Sequence, residues 1–286
     1  MKFFFIAFIF IFNSSFSEAE EISYDSKDST LIMQLSIHAP ADKNTHEYMY
    51  YFGQKLKNTP YVAKTLEGNK TEKLVINLRE LDCTTYVENL LALSLCMNSN
   101  KKTFYDFTFY LRMIRYHDGI ISYISRLHYF TSWINNNKKN MYVTEDNITD
   151  KSSALFSGIQ TLKINYMTQH ISQYPALLNN ALLIPKLKKT ELALTGSKYS
   201  FIPKSMLNKY NLMKKYIHNG DIIVILTSKK GLDTSHLGIA SWHSDGTLHL
   251  LNASQIHKKV VDETMSIYNY MKKHPSQIGI RVIHPF

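Results

Sequence analysis

The stretch LDCTTYVENLLAL, residues 81–93, contains one of only two cysteines in the 286-residue chain and opens an apolar run. Asp82 suits a helix N-cap, because its side-chain oxygen can accept from the free amides of the first turn. From Val87 apolar residues recur at helical spacing through Leu95. The spacing therefore predicts a helix that starts at Cys83. A thiol there meets unpaired N–H groups and the positive end of the helix dipole, which favour a thiolate. The other cysteine, Cys96, falls inside the apolar stripe of the same helix and reads as a small buried hydrophobe. Two residues so spaced lie roughly 20 Å apart along a helix axis. A disulfide needs Cα atoms within ~7 Å. Both thiols are expected to be free.

A cysteine nucleophile needs a base within hydrogen-bond reach. The segment GDIIVILTSKKGLDTSHLGIASWHSDGTLHLLNAS, residues 220–254, reads as successive antiparallel strands over Ile222–Thr227, Ser235–Trp242 and Thr247–Ala253, with a hairpin signal at Asp245-Gly246. His236 opens the middle strand. Pairing about that turn brings together residues whose numbers sum to about 491. Asn252 then falls within a few residues of His236, and an Asn can hold one imidazole nitrogen and orient the ring. His243, His249 and His257 are further histidines on this sheet, with His249 on the face opposite Asn252.

Thr103–Arg115 has the pattern of an amphipathic helix, and YHDGIISYISRLHYFTSWI follows at 116–134. From pattern alone this is either an aromatic core stretch with a salt-bridged Arg or one wall of a cleft. In the second case Tyr116, Tyr129, Trp133 and Arg126 line the cleft, with Asp118 either beside them or anchoring Arg126. Residues 148–200 have a mixed pattern, with helical pieces expected near 171–183 and 204–217.

These pieces, in this order, carry a resemblance. DCTTYVE resembles the helix-start cysteine motif of the NlpC/P60 cell-wall peptidases, within the papain-like superfamily, and SHLGIA with its hairpin resembles that superfamily's histidine strand. More specifically, LDCTTYVENLLAL, YHDGIISYISRLHYFTSWI, GDIIVILTSKKGLDTSHLGIA and LHLLNAS look like the DUF1460 family, of the N-acetylmuramoyl-L-alanine amidase type. The resemblance implies an α+β, papain-like NlpC/P60 fold, with the helix-start cysteine packed on an antiparallel sheet carrying the histidine. It implies Cys83, His236 and Asn252 as the catalytic group. Tyr86, Asp118, Arg126, His128, Tyr129 and Trp133 become the substrate-binding set. Related sequences often carry His where this chain has Asn252, although Asn can also orient an imidazole. The implied substrate is a peptidoglycan fragment, cut between N-acetylmuramic acid, in reducing or anhydro form, and L-Ala, a reaction of cell-wall recycling.

The rest of the chain bounds this reading. Residues 1–17 combine Lys2, an apolar core at Phe3–Phe12 and a small polar exit, the pattern of a signal peptide, although no A-x-A precedes a cleavage point. A retained anchor is the alternative, but a comfortable span needs ~20 apolar residues. An exported protein, periplasmic or secreted, with no membrane span after cleavage, is expected. Residues 18–286 read as one amidase domain, a monomer, with a helical and aromatic insertion around 103–200. No Gly/Ser-rich or Pro-rich linker divides them. The formal charge is +10, but the lysines are scattered without a long basic block, so no nucleic-acid partner is expected. No cofactor or metal is expected, since neither cysteine has a C-x-x-C partner and no H-E-x-x-H occurs. The rival readings are an endopeptidase cutting the stem peptide and a wall-binding module in which Cys83 and His236 are structural.

Overall fold

The computed structural model describes residues 22–145 and 154–286. The segment read as a signal peptide lies outside the described residues. In chain order the helices are α1 (Ser26–Ile37), α2 (Thr45–Lys55), α3 (Cys83–Asn98), α4 (Phe104–Arg115), α5 (Phe130–Lys139), α6 (Tyr166–Gln169), α7 (Pro175–Asn179), α8 (Leu183–Leu194), α9 (Tyr210–Met213) and α10 (Ile267–Lys272). The strands are β1 (Ile22–Tyr24), β2 (Leu74–Ile76), β3 (Val143–Glu145), β4 (Gly158–Thr161), β5 (Lys198–Pro203), β6 (Ile222–Thr227), β7 (Thr234–Trp242), β8 (Leu248–Ser254), β9 (Lys259–Asp262) and β10 (Gln277–Pro285). The fold is mixed α+β. Its main sheet runs β4-β5-β10-β6-β7-β8-β9, with β3 also paired to β10, and its pairings are antiparallel. β1 and β2 form a separate parallel pair.

β6 is buried along its whole length, as its unbroken IIVILT predicts. Its side chains alternate between two cores. Ile222, Val224 and Leu226 join Leu237, Ile239 and Leu251 against α2 and α3. Ile223 and Ile225 join Ala240, Leu248 and Leu250 against α9 and α10. A third cluster, from Tyr123 and Tyr129 to Leu194, gathers α6, α7 and α8. The region around 103–200 is thus shared: Phe107, Leu111, Trp133 and Ile134 of α4 and α5 belong to the first core.

α3 is the central helix. Every residue from Thr85 to Met97 is buried, so it is enclosed on all sides rather than amphipathic. Three of its buried polar side chains are paired: Glu88 with Arg115 at 2.7 Å, Asn89 as donor to the Thr85 carbonyl, and Ser94 as donor to that of Leu90. The helical pieces expected near 171–183 form as a 3-10 turn at Ile171–Gln173, α7 and the start of α8. Pro185 sits in the first turn of α8, where its missing N–H costs no helical bond. Near 204–217 only a 3-10 turn at Lys204–Met206 and the short α9 form. Among the described residues no helix is long and apolar enough to cross a membrane.

Candidate active site

Asp82 caps α3 as its sequence predicts. Its side chain accepts from the Thr85 N–H at 2.8 Å, and the Thr85 hydroxyl oxygen accepts from the Asp82 N–H at 2.9 Å. This reciprocal box fixes the first turn and therefore Cys83. Both cysteines are free; Cys96 is buried in the first core, whereas Cys83 keeps part of its surface open.

β7 supplies the histidine. Ile225 pairs with His236 and Leu226 with Thr234, so Ser235 is an extra residue, a bulge that sets His236 at the start of the regular ladder. The Leu237 N–H points at the Cys83 sulfur. The residue after the histidine thus abuts the thiol, and helix start and strand start meet there. His236 Nε2 lies 2.8 Å from Asn252 Oδ1.

The β7–β8 register explains that bond and corrects the sequence expectation by one residue. Ile239 pairs with Leu251 and Ala240 with Leu250, so paired numbers sum to 490, not 491. A slip of one residue moves a side chain to the other face of a sheet. Summing to 491 would set Asn252 opposite Ile239, on the face away from His236. The observed register, continued one step, sets it opposite Gly238, on the same face as His236. The cause is the connection: His243–Thr247 forms a five-residue loop, closed by the His243 N–H donating to the Thr247 carbonyl, with Gly246 at φ +79°. Gly238 leaves the space; a Cβ there would stand 2.9 Å from the Asn252 Cβ.

Behind Asn252 lies a residue that sequence reasoning missed. The Asn252 Nδ2 donates to the Leu250 carbonyl at 3.2 Å and to Glu263 Oε1 at 3.3 Å. Glu263 is buried, and its other oxygen lies 3.2 Å from His257 Nε2. Two acceptors on one side of the amide fix its orientation. The Oδ1 therefore faces His236 and accepts from an Nε2–H, which leaves Nδ1 as the nitrogen able to take a proton. Glu263 follows the edge strand β9 and carries no local signal of this role. His249, on the other face, pairs through Nδ1 with the Glu263 carbonyl and stacks on His243.

The electrostatics depart from the expected thiolate. Burial pushes the Cys83 thiol up to about 12, and the Asp82 carboxylate pushes the same way; the Leu237 N–H and the Thr84 hydroxyl oppose this without overcoming it. Burial likewise holds the His236 imidazole below its ordinary range, despite the Asn252 bond. At neutral pH the pair rests as thiol and neutral imidazole.

The aromatic stretch is mostly core. Trp133 is fully buried and stacks on Phe130 at 4.6 Å. Tyr86 is also fully buried, its hydroxyl against Gly53. Neither presents a face to a ligand, which corrects the expectation that they bind substrate: each lies on an inward face of its helix. Tyr116 is buried and donates to Glu72. Tyr129 is buried and donates to Glu191 Oε1 at 2.6 Å. Arg126 is 7% exposed and held by Glu67 at 2.6 Å and Glu72 at 3.5 Å, over the Tyr123 ring. Its charge is already matched. Asp118 does not anchor it; Asp118 is exposed and pairs with Lys139 and His117. His128 Nε2 donates to the Tyr123 carbonyl at 2.6 Å, and burial with the Arg126 charge drives its pKa down to about 3. Arg126, His128 and Tyr129 do border a cleft of about 430 Å³ that Lys186 and Thr190 of α8 also line.

A family model described as AmiA-like, N-acetylmuramoyl-L-alanine amidase-like, matches residues 51–280. The solved structure of an N-acetylmuramoyl-L-alanine amidase from Bacteroides uniformis ATCC 8492 is 38% identical, with a TM-score of 0.78 over 85% of this chain and 99% of that one. A Bacteroides fragilis protein described as a xylanase is 39% identical, with a TM-score of 0.75 over 82% of this chain and 99% of that one. A Legionella pneumophila protein matching the DUF1460 family model shares the fold at 22% identity, with a TM-score of 0.66 over 91% and 94%. Comparison with curated proteins found no match.

Proposed function

The chain belongs to the N-acetylmuramoyl-L-alanine amidase-like family, and from that premise we propose that it is a cell-wall amidase, a cysteine-dependent hydrolase that cuts the amide between N-acetylmuramic acid and L-Ala in peptidoglycan fragments. The observation that carries the cysteine mechanism is the His236–Asn252 hydrogen bond beside a helix-start thiol. The arrangement supports a papain-like, NlpC/P60 reading of the fold: cysteine helix on one side, histidine strand on the other. An exported protein, periplasmic or secreted, suits the substrate.

In this reading His236 Nδ1 takes the Cys83 proton as the sulfur attacks the lactyl carbonyl carbon. The first-turn N–H groups of α3 face the oxyanion that forms. The carbon–nitrogen bond breaks as His236 returns the proton to the leaving amine of L-Ala, and a thioester to the lactyl group remains. Water, losing a proton to His236, attacks the thioester; the acid leaves and the thiol is restored. Because the resting pair is neutral, proton transfer accompanies attack and needs no standing thiolate. Asn252, oriented by Glu263, keeps Nδ1 available throughout.

Digestion of purified muropeptides, read by mass spectrometry, tests the proposal. Free peptide plus intact sugar is the expected result, and comparison of reducing and anhydro substrates sets the preference. A cut within the stem would make the protein an endopeptidase. A cut between sugars would make it a glycosidase, which needs a facing carboxylate pair.

A further inference from the structure

A second chemistry-bearing cluster lies at the other end of β7. His218, Asp221 and His284 bring one ligand atom each within 4.8 Å of one another. The His284 Nδ1 is 3.1 Å from Asp221 Oδ2, and the His218 Nδ1 is 3.6 Å from the same oxygen. Zn–N and Zn–O bonds of ~2.0–2.1 Å in tetrahedral geometry set ligand atoms about 3.3 Å apart. Both spacings bracket that value. The ring of His46 stacks on His218 with centroids 5.5 Å apart.

The backbone builds this arrangement. Asp221 precedes β6, His284 ends β10, and His46 is in the first turn of α2. Gly220, at φ +90°, packs so closely on α2 that a Cβ would collide with the His46 carbonyl oxygen. Asp221 is fully buried; its Oδ2 also accepts from the His218 N–H at 2.7 Å, but its Oδ1 has no hydrogen-bond partner. One buried carboxylate facing two imidazoles, with an unmatched oxygen, suits a cation better than a simple ion pair, which needs one histidine.

We propose that His218, Asp221 and His284 bind one divalent transition-metal ion, Zn²⁺ by their nitrogen and oxygen donor set. Its role is structural, tying the end of β10 to the turn before β6 that packs on α2. The Ala240 N–H donates to the Asp221 carbonyl, so the site lies four residues along β7 from His236, about 13 Å at strand spacing. It stands apart from the thiol.

The test uses the full chain, stripped with chelator, in wild type and with Cys83→Ser to remove the partly open thiol. Titration with Co²⁺ should give a visible d–d band that saturates at one ion per chain and is displaced by one equivalent of Zn²⁺, with a rise in Tm. His218→Ala, at an exposed position, and His284→Gln should each abolish the band and the Tm rise, while His218→Ala retains turnover. A missing band in the Cys83→Ser chain, or saturation unchanged in both variants, would overturn the site.

Discussion

Asn252 turns its Oδ1 to His236 Nε2 at 2.8 Å and its Nδ2 to the buried carboxylate of Glu263 at 3.3 Å. The pair fixes a tautomer, and the acid fixes the pair. Asn252→Ala should lower kcat by ~10–100-fold, the scale of one hydrogen bond to a group that becomes charged. Glu263→Gln, which keeps an acceptor for the amide, should lower it only ~2–10-fold. Steady-state kinetics on both variants check the order. An Asn252→Ala enzyme with wild-type kcat would move the orienting role elsewhere.

Cys83→Ala should abolish turnover with little change in Tm, because Cys83 sits at a partly open helix start. Cys96→Ala should do the reverse, costing about 1–2 kcal/mol for a cavity in a packed core and sparing activity. His236→Ala should be nearly as damaging as loss of Cys83, and the double variant little worse, since nucleophile and base act as one unit. Thermal melts beside kcat/KM separate these cases. Equal activity losses at Cys83 and Cys96 with intact folding would remove the assignment.

The thiol offers a direct electrostatic test. Burial and Asp82 push its pKa up to about 12, so alkylation near pH 7 should be slow and should rise with pH. Asp82→Asn keeps the cap, since Asn is as good an N-cap, but removes a negative charge beside the sulfur. Cys83 labelling at pH 8 should therefore be faster in that variant. Peptide mapping after timed iodoacetamide exposure measures it; a slower rate would contradict the charge assignment.

The local parts of this site were legible in the sequence, and the non-local parts were not. Asp82 and the apolar spacing after it announced α3, and IIVILT announced β6, because caps and burial act over a few residues. The hairpin at Asp245-Gly246 was visible, but its loop length was not, and one residue of loop length decides which face Asn252 occupies. Glu263 and the histidine cluster at Asp221 escaped because their partners lie in separate strands. The aromatic stretch misled for a physical reason: Trp133 and Tyr86 are suited to sugar stacking and to core packing alike, and only the fold shows that both point inward.

Acid should destabilise the fold through two neutral histidines. The pKa of His128 is lowered to about 3, and that of His236 is lowered from its ordinary 6.5, by burial in both cases. The unfolded chain therefore binds more protons below 6.5, and stability falls as pH drops from there toward 3. His128→Gln should flatten the decline in Tm between pH 7 and pH 4. A slope equal to wild type would mean that His128 is already charged in the folded protein.

Arg126 decides whether the aromatic segment binds substrate or holds the fold. Its side chain is nearly enclosed, with Glu67 at 2.6 Å and Glu72 at 3.5 Å, and burial raises the Glu72 pKa against the pull of Arg126. Arg126→Met would leave two carboxylates without their cation, and breaking a buried pair on one side costs about 3–5 kcal/mol. Arg126→Lys keeps a charge but loses the planar fork that reaches both acids, so its cost should be smaller and of the same sign. A structural Arg126 lowers Tm in both variants and reduces activity only in proportion to unfolding. The triple change Arg126→Met, Glu67→Gln, Glu72→Gln should then recover part of the lost Tm, because no uncompensated charge remains. A substrate-binding Arg126 instead lowers kcat/KM by ~10–100-fold in Arg126→Lys with Tm unchanged. Two acids already in contact with the guanidinium favour the first outcome. Melting curves and kinetics on the same three proteins decide it.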